Sequence, residues 1–202
     1  MKKRKALLFD FDGVLADTFE FCYQINLGLM PELTRDEYRA RFNGNIFSVM
    51  AKMKEKPKYD KFDFFAAFTP KLLATPMNEK IRTLVEKFSR SHSLFIISST
   101  TSDPIKQFLA QNNILYCFQG ILGKDHGKSK VEKINGLLKA YGLKTHDCLF
   151  ITDTLGDIEE ARACGINSIA VTWGYHPKKT LFQGKPFALA ETLEELETLI
   201  EE

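Results

Sequence analysis

The sequence Ala6-Leu7-Leu8-Phe9-Asp10-Phe11-Asp12-Gly13-Val14 decides the fold class of this chain. Its four consecutive apolar residues, 6–9, predict a short buried strand. Asp10 and Asp12 follow at once, so both carboxylates are expected where the strand ends and the chain turns at Gly13. In parallel α/β sheets, ligands bind at that end of the strands. Burying two acids together is costly unless a cation or a shared proton offsets their charge. We therefore predict a metal site with one reactive carboxylate.

Two other structures also use an Asp-x-Asp-Gly sequence. An EF-hand calcium loop needs a third ligand before the glycine and a glutamate at its end, whereas Phe11 and the Val14-Leu15 pair are apolar here. An ordinary strand-to-turn Asp-Gly would carry no chemistry. Residues 10–14 alone leave a catalytic site and a plain turn open, and the rest of the chain must decide.

Length and composition limit the class of protein. The chain has 202 residues, of which 44% are hydrophobic, and a formal net charge of +2, which suits one core with at most a small additional unit. No long charge block indicates nucleic acid binding. Asp10 and Asp12 interrupt the apolar run that follows the basic residues 2–5, so neither a secretory signal nor a membrane span is predicted. The four cysteines are widely spaced and predict free thiols in a reducing cytoplasm: Cys22, Cys117, Cys148 and Cys164.

Helical patterns and short apolar runs alternate from residue 77 onward. The predicted helices are 77–90, 104–112, 130–141, 156–164 and 192–201. The predicted strands are 94–97, 118–122, 148–152, 166–171 and 187–189. Gly142 is expected to end one helix, and Thr192 with Glu195 predicts a capping box. This alternation is typical of βαβ units, so we predict an α/β fold with a Rossmann-like parallel sheet.

Residues 17–75, called the insert segment below, break this pattern. They lack a convincing strand and are predicted to be mainly helical, with breaks at the prolines: Pro31, Pro57 and Pro70. We therefore predict a core formed by residues 1–16 and 76–202, with a helical cap at 17–75 over the carboxyl edge of the sheet. The phenylalanines at 62, 64, 65 and 68 are expected to form the cap core rather than a hydrophobic substrate pocket.

Polar side chains follow other predicted strands as they follow the first. They are Ser98, Ser99, Lys128, Asp153 and Asp157. Each alone has a plain explanation as a helix cap, a solvated lysine or an acid at a helix N-terminus. Together with the first two aspartates, they place four acids and one lysine at one edge. That excess of negative charge calls for a hard divalent cation, and oxygen ligands favour Mg²⁺.

This set of groups suits phosphoryl transfer. One aspartate can attack phosphorus to form an aspartyl-phosphate. A second, held protonated, can donate to the leaving oxygen and later accept a proton from water. Lysine and serine can bind the equatorial oxygens of the phosphoryl group.

The chain resembles the haloacid dehalogenase-like hydrolase superfamily over essentially its whole length. Four motifs carry the resemblance: residues 10–18, residues 96–99, Lys128, and residues 151–157. The resemblance implies that Asp10 is the nucleophile, that Asp12 is the general acid and base, and that Ser98 and Lys128 hold the phosphoryl group. It also implies Mg²⁺ bound by Asp10, the Asp12 main-chain carbonyl, Asp153 and Asp157, and a Rossmann-like core with a helical cap.

Individual residues within the motifs indicate which branch of the superfamily the chain resembles. Members that cleave carbon–halogen bonds lack an acid at the position of Asp12, so a dehalogenase is disfavoured. Thr152 stands where the family most often has glycine, and Ser99 stands where asparagine is frequent. The segment 171–175, which contains Trp173, is similar to the branch of phosphoglycolate phosphatases and β-phosphoglucomutases.

Substrate contacts are expected from Gly13, Ser99 and Arg41. Arg35 and Arg39 are expected to form a solvated helix face instead. The substrate is predicted to be a small phosphorylated metabolite, with no nucleic acid or membrane partner and no indication of oligomeric state.

Three functions stay open at this point. The first is a Mg²⁺-dependent cytoplasmic phosphatase acting through an aspartyl-phosphate. A sugar phosphomutase would use the same residues but return the phosphoryl group to a sugar. A non-catalytic phosphate-binding protein would be expected to have lost a catalytic group, and none of the expected groups is missing.

Three lysines compete for the third motif, namely Lys124, Lys128 and Lys130. Lys128 precedes Asp153 by 153 − 128 = 25 positions, which fits the family's lysine–helix–strand–aspartate unit without a gap. Lys130 is expected inside the following helix. The spacing therefore predicts that Lys128 contacts the Asp10 carboxylate.

Overall fold

A six-stranded parallel sheet forms the centre of the protein, in a computed structural model that describes residues 6–52 and 62–202. The strands are β1 (Ala6–Phe9), β2 (Ser93–Ile97), β3 (Phe118–Leu122), β4 (Cys148–Thr152), β5 (Asn167–Val171) and β6 (Ala188–Ala190). Their order in the sheet is β3-β2-β1-β4-β5-β6, and every pair is parallel. The predicted α/β class with a parallel sheet is confirmed.

Helices cover both faces of this sheet and also fill the connection between β1 and β2. They are α1 (Phe19–Leu29), α2 (Arg35–Ala40), α3 (Ile46–Lys52), α4 (Phe64–Ala74), α5 (Glu79–Ser89), α6 (Ser102–Gln111), α7 (Lys130–Tyr141), α8 (Leu155–Ala163), α9 (Lys178–Leu181) and α10 (Leu193–Glu201). No helix in the described part of the chain is long and apolar enough to cross a membrane.

The central strand β1 is buried on both faces, which explains its continuous apolar sequence. All four of its residues are at most 1% exposed. Leu7 and Phe9 belong to one apolar cluster, and Ala6 and Leu8 belong to another on the opposite side. This alternation places one hydrophobic core on each side of the sheet.

The register of β1 aligns the ends of three strands. Phe9 pairs with Ile96 of β2 and with Ile151 of β4. Because parallel strands end at the same edge, the residues that follow these positions lie side by side. The sheet therefore brings the polar residues of three separate motifs to one edge.

The described part of the insert segment forms helices α1 to α4. The aspartate cap of α4 and the capping box of α2 at Thr34 define their N-termini. Pro70 lies inside α4, so its predicted role as a break is wrong; α4 continues because Phe68 and Leu72 on either side are buried. Pro57 lies outside the described residues. The division into core and cap stays a prediction.

Several boundaries agree with the sequence prediction and others shift. Strands 118–122 and 148–152 and helix 130–141 have the predicted bounds, and Gly142 ends its helix with a φ of 61°. The last strand lies one residue later than predicted, and the four-residue helix α9 was not predicted. Thr192 caps the final helix, but the Glu195 carboxylate accepts from the amide of Glu191 rather than completing the box.

The insert segment docks on the N-terminus of α8 through two glycines. The Gly156 amide donates to the carbonyl oxygen of Phe42 at 2.9 Å. A Cβ at Gly156 would lie 2.4 Å from the carbonyl oxygen of Gly44, so only a residue without a side chain permits this approach.

We expect Gly156→Ala to loosen this docking. The added methyl group collides with backbone, so amide hydrogen exchange in residues 42–47 should become about tenfold faster, the effect of losing roughly one hydrogen bond. Gly136→Ala is the matched control, because a Cβ there meets nothing within 4 Å. Equal exchange in the two variants would contradict the docking role of Gly156.

Candidate active site

The sheet edge brings the acids of two motifs together around one lysine. Lys130, the first residue of α7, is 3% exposed. Its Nζ lies 2.8 Å from Asp10 Oδ1 and 2.6 Å from Asp157 Oδ2. Burial acts to lower the pKa of Lys130, but the two carboxylates outweigh it and raise that pKa above its ordinary value. Lys130 is therefore a permanent cation between two acids.

The predicted contact between Lys128 and Asp10 is wrong. Lys128 is exposed, and its contact with the described part of the chain is through its main-chain carbonyl, which accepts from the side-chain amide of Asn45 at 3.1 Å. Ser129 caps α7, so the helix begins at Lys130. Side chains in a first helical turn point back toward the helix N-terminus, which here faces the sheet edge. Residue spacing gave the start of the helix correctly but could not show that the side chain of its first residue reaches Asp10.

Asp12 lies beside the hydroxyl groups that follow β2. Its Oδ2 accepts from Thr100 Oγ1 at 2.7 Å and from Ser98 Oγ at 3.4 Å. Ser98 Oγ also accepts from the Thr100 amide at 3.0 Å. The sequence prediction missed Thr100; the run of hydroxyl residues from 98 to 102 was the available signal.

Asp153 sits in a space that two glycines leave open. A Cβ at either Gly13 or Gly174 would approach within 2.1 Å of its Oδ2. Gly13 also has a φ of 76°, which favours glycine. The Tyr175 amide donates to the same oxygen at 2.6 Å. The aspartate is thus fixed by backbone that approaches too closely for any side chain.

Thr152 explains how Asp157 is oriented. Its Oγ1 donates to Asp157 Oδ2 at 2.8 Å, the same oxygen that Lys130 contacts. Burial acts to raise the pKa of Asp157, but Lys130 and these hydrogen bonds hold that pKa below its ordinary value. The threonine in place of the more frequent glycine thus helps to keep Asp157 ionised.

The remaining acids carry more negative charge than one lysine compensates. Burial raises the pKa of Asp10 well above its ordinary value, against the effect of Lys130. Burial also raises the pKa of Asp12, and it raises the pKa of Asp153 to about 7. Carboxylates whose pKa is raised in this way are stabilised when they bind a cation or a proton.

The donor set fits Mg²⁺. Asp12 Oδ1 and Asp153 Oδ1 are buried and have no hydrogen-bond partner among the residues that the structure describes. Across residues 6–52 and 62–202, no three acidic, histidine or cysteine side chains already lie in coordination geometry. Mg²⁺ characteristically takes one or two carboxylates and completes its shell with other oxygens. The groups that would hold Mg²⁺ are the carboxylates of Asp10 and Asp153 and the main-chain carbonyl of Asp12. Asp157 would have a supporting role.

The three expected substrate contacts have different positions. The Gly13 amide donates to the carbonyl of Ala16 at 2.8 Å, so it serves the turn. Ser99 lines both a cavity of about 50 Å³ that reaches Asp10 and a larger neighbouring cavity of about 460 Å³. Arg41 is buried in the wall of the larger cavity. Arg39, expected to be solvated, donates from Nε to the Tyr175 carbonyl at 3.0 Å.

The fold and these motifs define a hydrolase of the haloacid dehalogenase class. The model of the haloacid dehalogenase-like hydrolase family matches residues 7–171. The chain therefore belongs to this family, as its motifs predicted.

Named relatives are similar to this chain at low identity. A phosphoglycolate phosphatase of Synechococcus elongatus is 29% identical over 113 residues, which cover 56% of this chain and 53% of that one. The chain thus spans about half the length of that relative. A phosphoglycolate phosphatase of Photorhabdus laumondii is 25% identical over 97% of this chain and 92% of its own. A haloacid dehalogenase-like family protein of Streptococcus pneumoniae has the same fold, with a TM-score of 0.79, 22% identity and coverage of 99% and 100%.

We expect Lys130→Met to reduce kcat for phosphate ester hydrolysis on the order of 10²–10³, the usual effect of losing a preorganised charge at a reacting group. Lys128→Met is the matched control and should stay near wild type, because its side chain is exposed. Steady-state kinetics with an aryl phosphate measures both variants. Loss of activity in Lys128→Met together with near wild-type activity in Lys130→Met would contradict the assignment of Lys130 as the lysine beside Asp10.

Proposed function

We propose that the protein is a Mg²⁺-dependent phosphatase that hydrolyses a small phosphomonoester through an aspartyl-phosphate on Asp10. The observation that carries the proposal is the buried Lys130, which contacts Asp10 while Asp12 lies two residues further on. A carboxylate held by a buried cation beside a second, separately hydrogen-bonded carboxylate suits a nucleophile and its acid–base partner. Membership of the hydrolase family and relatives named phosphoglycolate phosphatase support it.

The nucleophile is oriented by donors on one of its two oxygens. The Phe11 amide and Lys130 Nζ both reach Asp10 Oδ1, each at 2.8 Å. Oδ2 receives neither donor, so it is the oxygen assigned to attack phosphorus. As the Oδ2–phosphorus bond forms, the bond from phosphorus to the leaving oxygen breaks, and Lys130 stays close enough to counter the charge on the phosphoryl oxygens.

Asp12 supplies and then removes the proton. Because burial raises its pKa, the protonated form is available to donate to the leaving oxygen. The ionised carboxylate then takes a proton from water as that water attacks phosphorus. Inorganic phosphate leaves and the Asp10 carboxylate is restored. The hydroxyls of Thr100 and Ser98 hold Asp12 in place through both steps.

Mg²⁺ bound by Asp10, Asp153 and the Asp12 main-chain carbonyl would offset the clustered carboxylates and allow an anionic phosphate to approach them. The protein's own part is to hold these oxygens. Gly13 and Gly174 leave room for the Asp153 carboxylate, and the Tyr175 amide fixes one of its oxygens.

The insert segment is assigned the role of a mobile helical lid, closing over the site and excluding water. It contacts the core beside the sheet edge that carries Asp10 and Asp153, called the catalytic edge below. His176 Nε2 hydrogen-bonds with the Arg39 carbonyl at 2.9 Å, and His176 Nδ1 accepts from the Leu155 amide at the same distance. The hinges are placed at residues 16–17 and 74–76. The substrate is a small phosphorylated metabolite, and the four free thiols suit the cytoplasm.

We expect substitution of Asp10 and substitution of Asp12 to differ in the amount of phospho-enzyme that accumulates. Asp10→Asn should abolish turnover and give no trappable phospho-enzyme, because an amide is a poor nucleophile. Asp12→Asn should cripple turnover yet accumulate phospho-enzyme with an activated aryl phosphate, whose leaving group needs no proton. Acid quench followed by intact-protein mass spectrometry detects the added phosphoryl group. Equal phosphorylation of both variants would remove the assigned roles.

We expect chelation to abolish hydrolysis and Mg²⁺ to restore it. Ca²⁺, which needs more ligands at longer distances, should not restore it. The measurement is aryl phosphate turnover in EDTA and after each ion is added back. Full activity in EDTA would contradict the metal dependence. Activation by a bisphosphorylated sugar, with transfer to that sugar rather than to water, would favour the phosphomutase instead.

A further inference from the structure

The cavity of about 460 Å³ lies directly beside the catalytic edge. Ile46 and Ser99 line both this cavity and the small one that reaches Asp10, Asp12 and Lys130. A group attached to a phosphate at Asp10 therefore has this neighbouring space to enter. We call it the leaving-group cavity.

The walls of the leaving-group cavity are mainly apolar. Five aromatic rings of the insert segment contribute to them: Tyr38, Phe47, Phe62, Phe64 and Phe65. Phe68 is buried at 1% exposure, as expected for a core residue, whereas Phe62, Phe64 and Phe65 pack against the same apolar core and also line the cavity. The volume is in the range of drug-sized ligand sites and is much larger than a glycolate group. The walls suit a ring-sized apolar body.

Two cations lie in these walls. Arg41 is 3% exposed; its Nη1 donates to the side-chain oxygen of Asn26 at 2.9 Å and its Nη2 to the sulfur of Met30 at 3.1 Å. Lys124 Nζ lies above the rings of Phe47 and Phe65, 5.6 and 5.3 Å from their centroids. Among the residues that the structure describes, neither cation forms an ion pair.

Asp63 is the one acid among the described residues that line the cavity, and its carboxylate caps a helix. Asp63 Oδ1 caps α4 by accepting from the amides of Phe65 and Ala66. The cavity therefore carries an excess of positive charge. A buried guanidinium without a counter-ion is unfavourable, and a negatively charged ligand would relieve that cost.

We infer that the leaving-group cavity binds the alcohol part of the substrate, and that this part combines a ring-sized apolar body with a carboxylate or another anionic group. The inference rests on the proposed phosphatase function and narrows its substrate class. The apolar body packs on the rings of α3 and α4, and the anionic group lies near Arg41 and Lys124. Phosphoglycolate has the anionic group but not the body, so it is expected to be a poor substrate.

The test compares two isosteric esters that differ only in charge. 4-Carboxyphenyl phosphate should exceed 4-carbamoylphenyl phosphate in kcat/KM by about tenfold, the size of one charge-assisted hydrogen bond. Both should exceed phosphoglycolate. The same preference should appear in equilibrium binding of the matching phosphonates, 4-carboxybenzyl- and 4-carbamoylbenzylphosphonate, measured by calorimetry without turnover.

Variants assign the preference to named residues. Arg41→Met and Lys124→Met should each reduce the preference for the carboxylate, measured as the ratio of kcat/KM for the two aryl esters, to about threefold or less. Lys124 is exposed, so its variant tests the inference even where Arg41→Met fails to fold. Lys139→Met, an exposed lysine in the last turn of α7, is the control. Met50 also lines the cavity, so Met50→Trp should fill it and weaken both aryl esters by about tenfold, more than it weakens phosphoglycolate.

The outcomes separate the inference from the function beneath it. Hydrolysis of all three esters without a charge preference would overturn the inference and leave the phosphatase intact. A preference for phosphoglycolate, or one that survives in both methionine variants, would also overturn it. Phosphonate binding with the expected preference but no hydrolysis of any ester would overturn the phosphatase while supporting the cavity's specificity.

Discussion

The contact of one buried lysine with two buried aspartates is the interaction on which the catalytic edge depends. Lys130 links the end of β1, through Asp10, to the first turn of α8, through Asp157. Removing one member of a buried ion pair costs about 3–5 kcal/mol, because the partner charge stays buried without compensation. The same contact therefore positions Asp10, the proposed nucleophile, and holds α7 and α8 against the sheet.

The rest of the edge is arranged at the expense of electrostatic stability. Four acids lie near Lys130, and within the described part of the chain the side-chain oxygens Oδ1 of Asp12 and Asp153 are buried without hydrogen-bond partners. An apolar core would avoid that cost, whereas a site for a cation and a phosphate requires it. The glycines at 13 and 174 serve the same end, since they let the backbone approach Asp153 too closely for a side chain.

The insert segment changes what the edge can bind. Its helices α3 and α4 place aromatic rings beside Ser99, and α2 is followed directly by the buried Arg41. The Gly156–Gly44 approach and the His176–Arg39 hydrogen bond hold this segment over the carboxyl ends of the strands. The proposed chemistry at phosphorus thus involves the sheet edge, and the proposed selection of the leaving group involves the insert segment.

The sequence by itself determined the α/β class, the parallel sheet and the strand ends at which Asp10, Ser98 and Asp153 meet. These depend on local signals, namely apolar runs, caps and the end of one helix at Gly142, and such signals are readable without knowing the partners. The spacing favoured Lys128 over Lys130 and was wrong, because two positions near a helix start differ mainly in side-chain direction. It also could not show that Arg41 is buried or that Thr100 reaches Asp12. Those contacts join residues far apart in the chain, and only the tertiary packing brings them together.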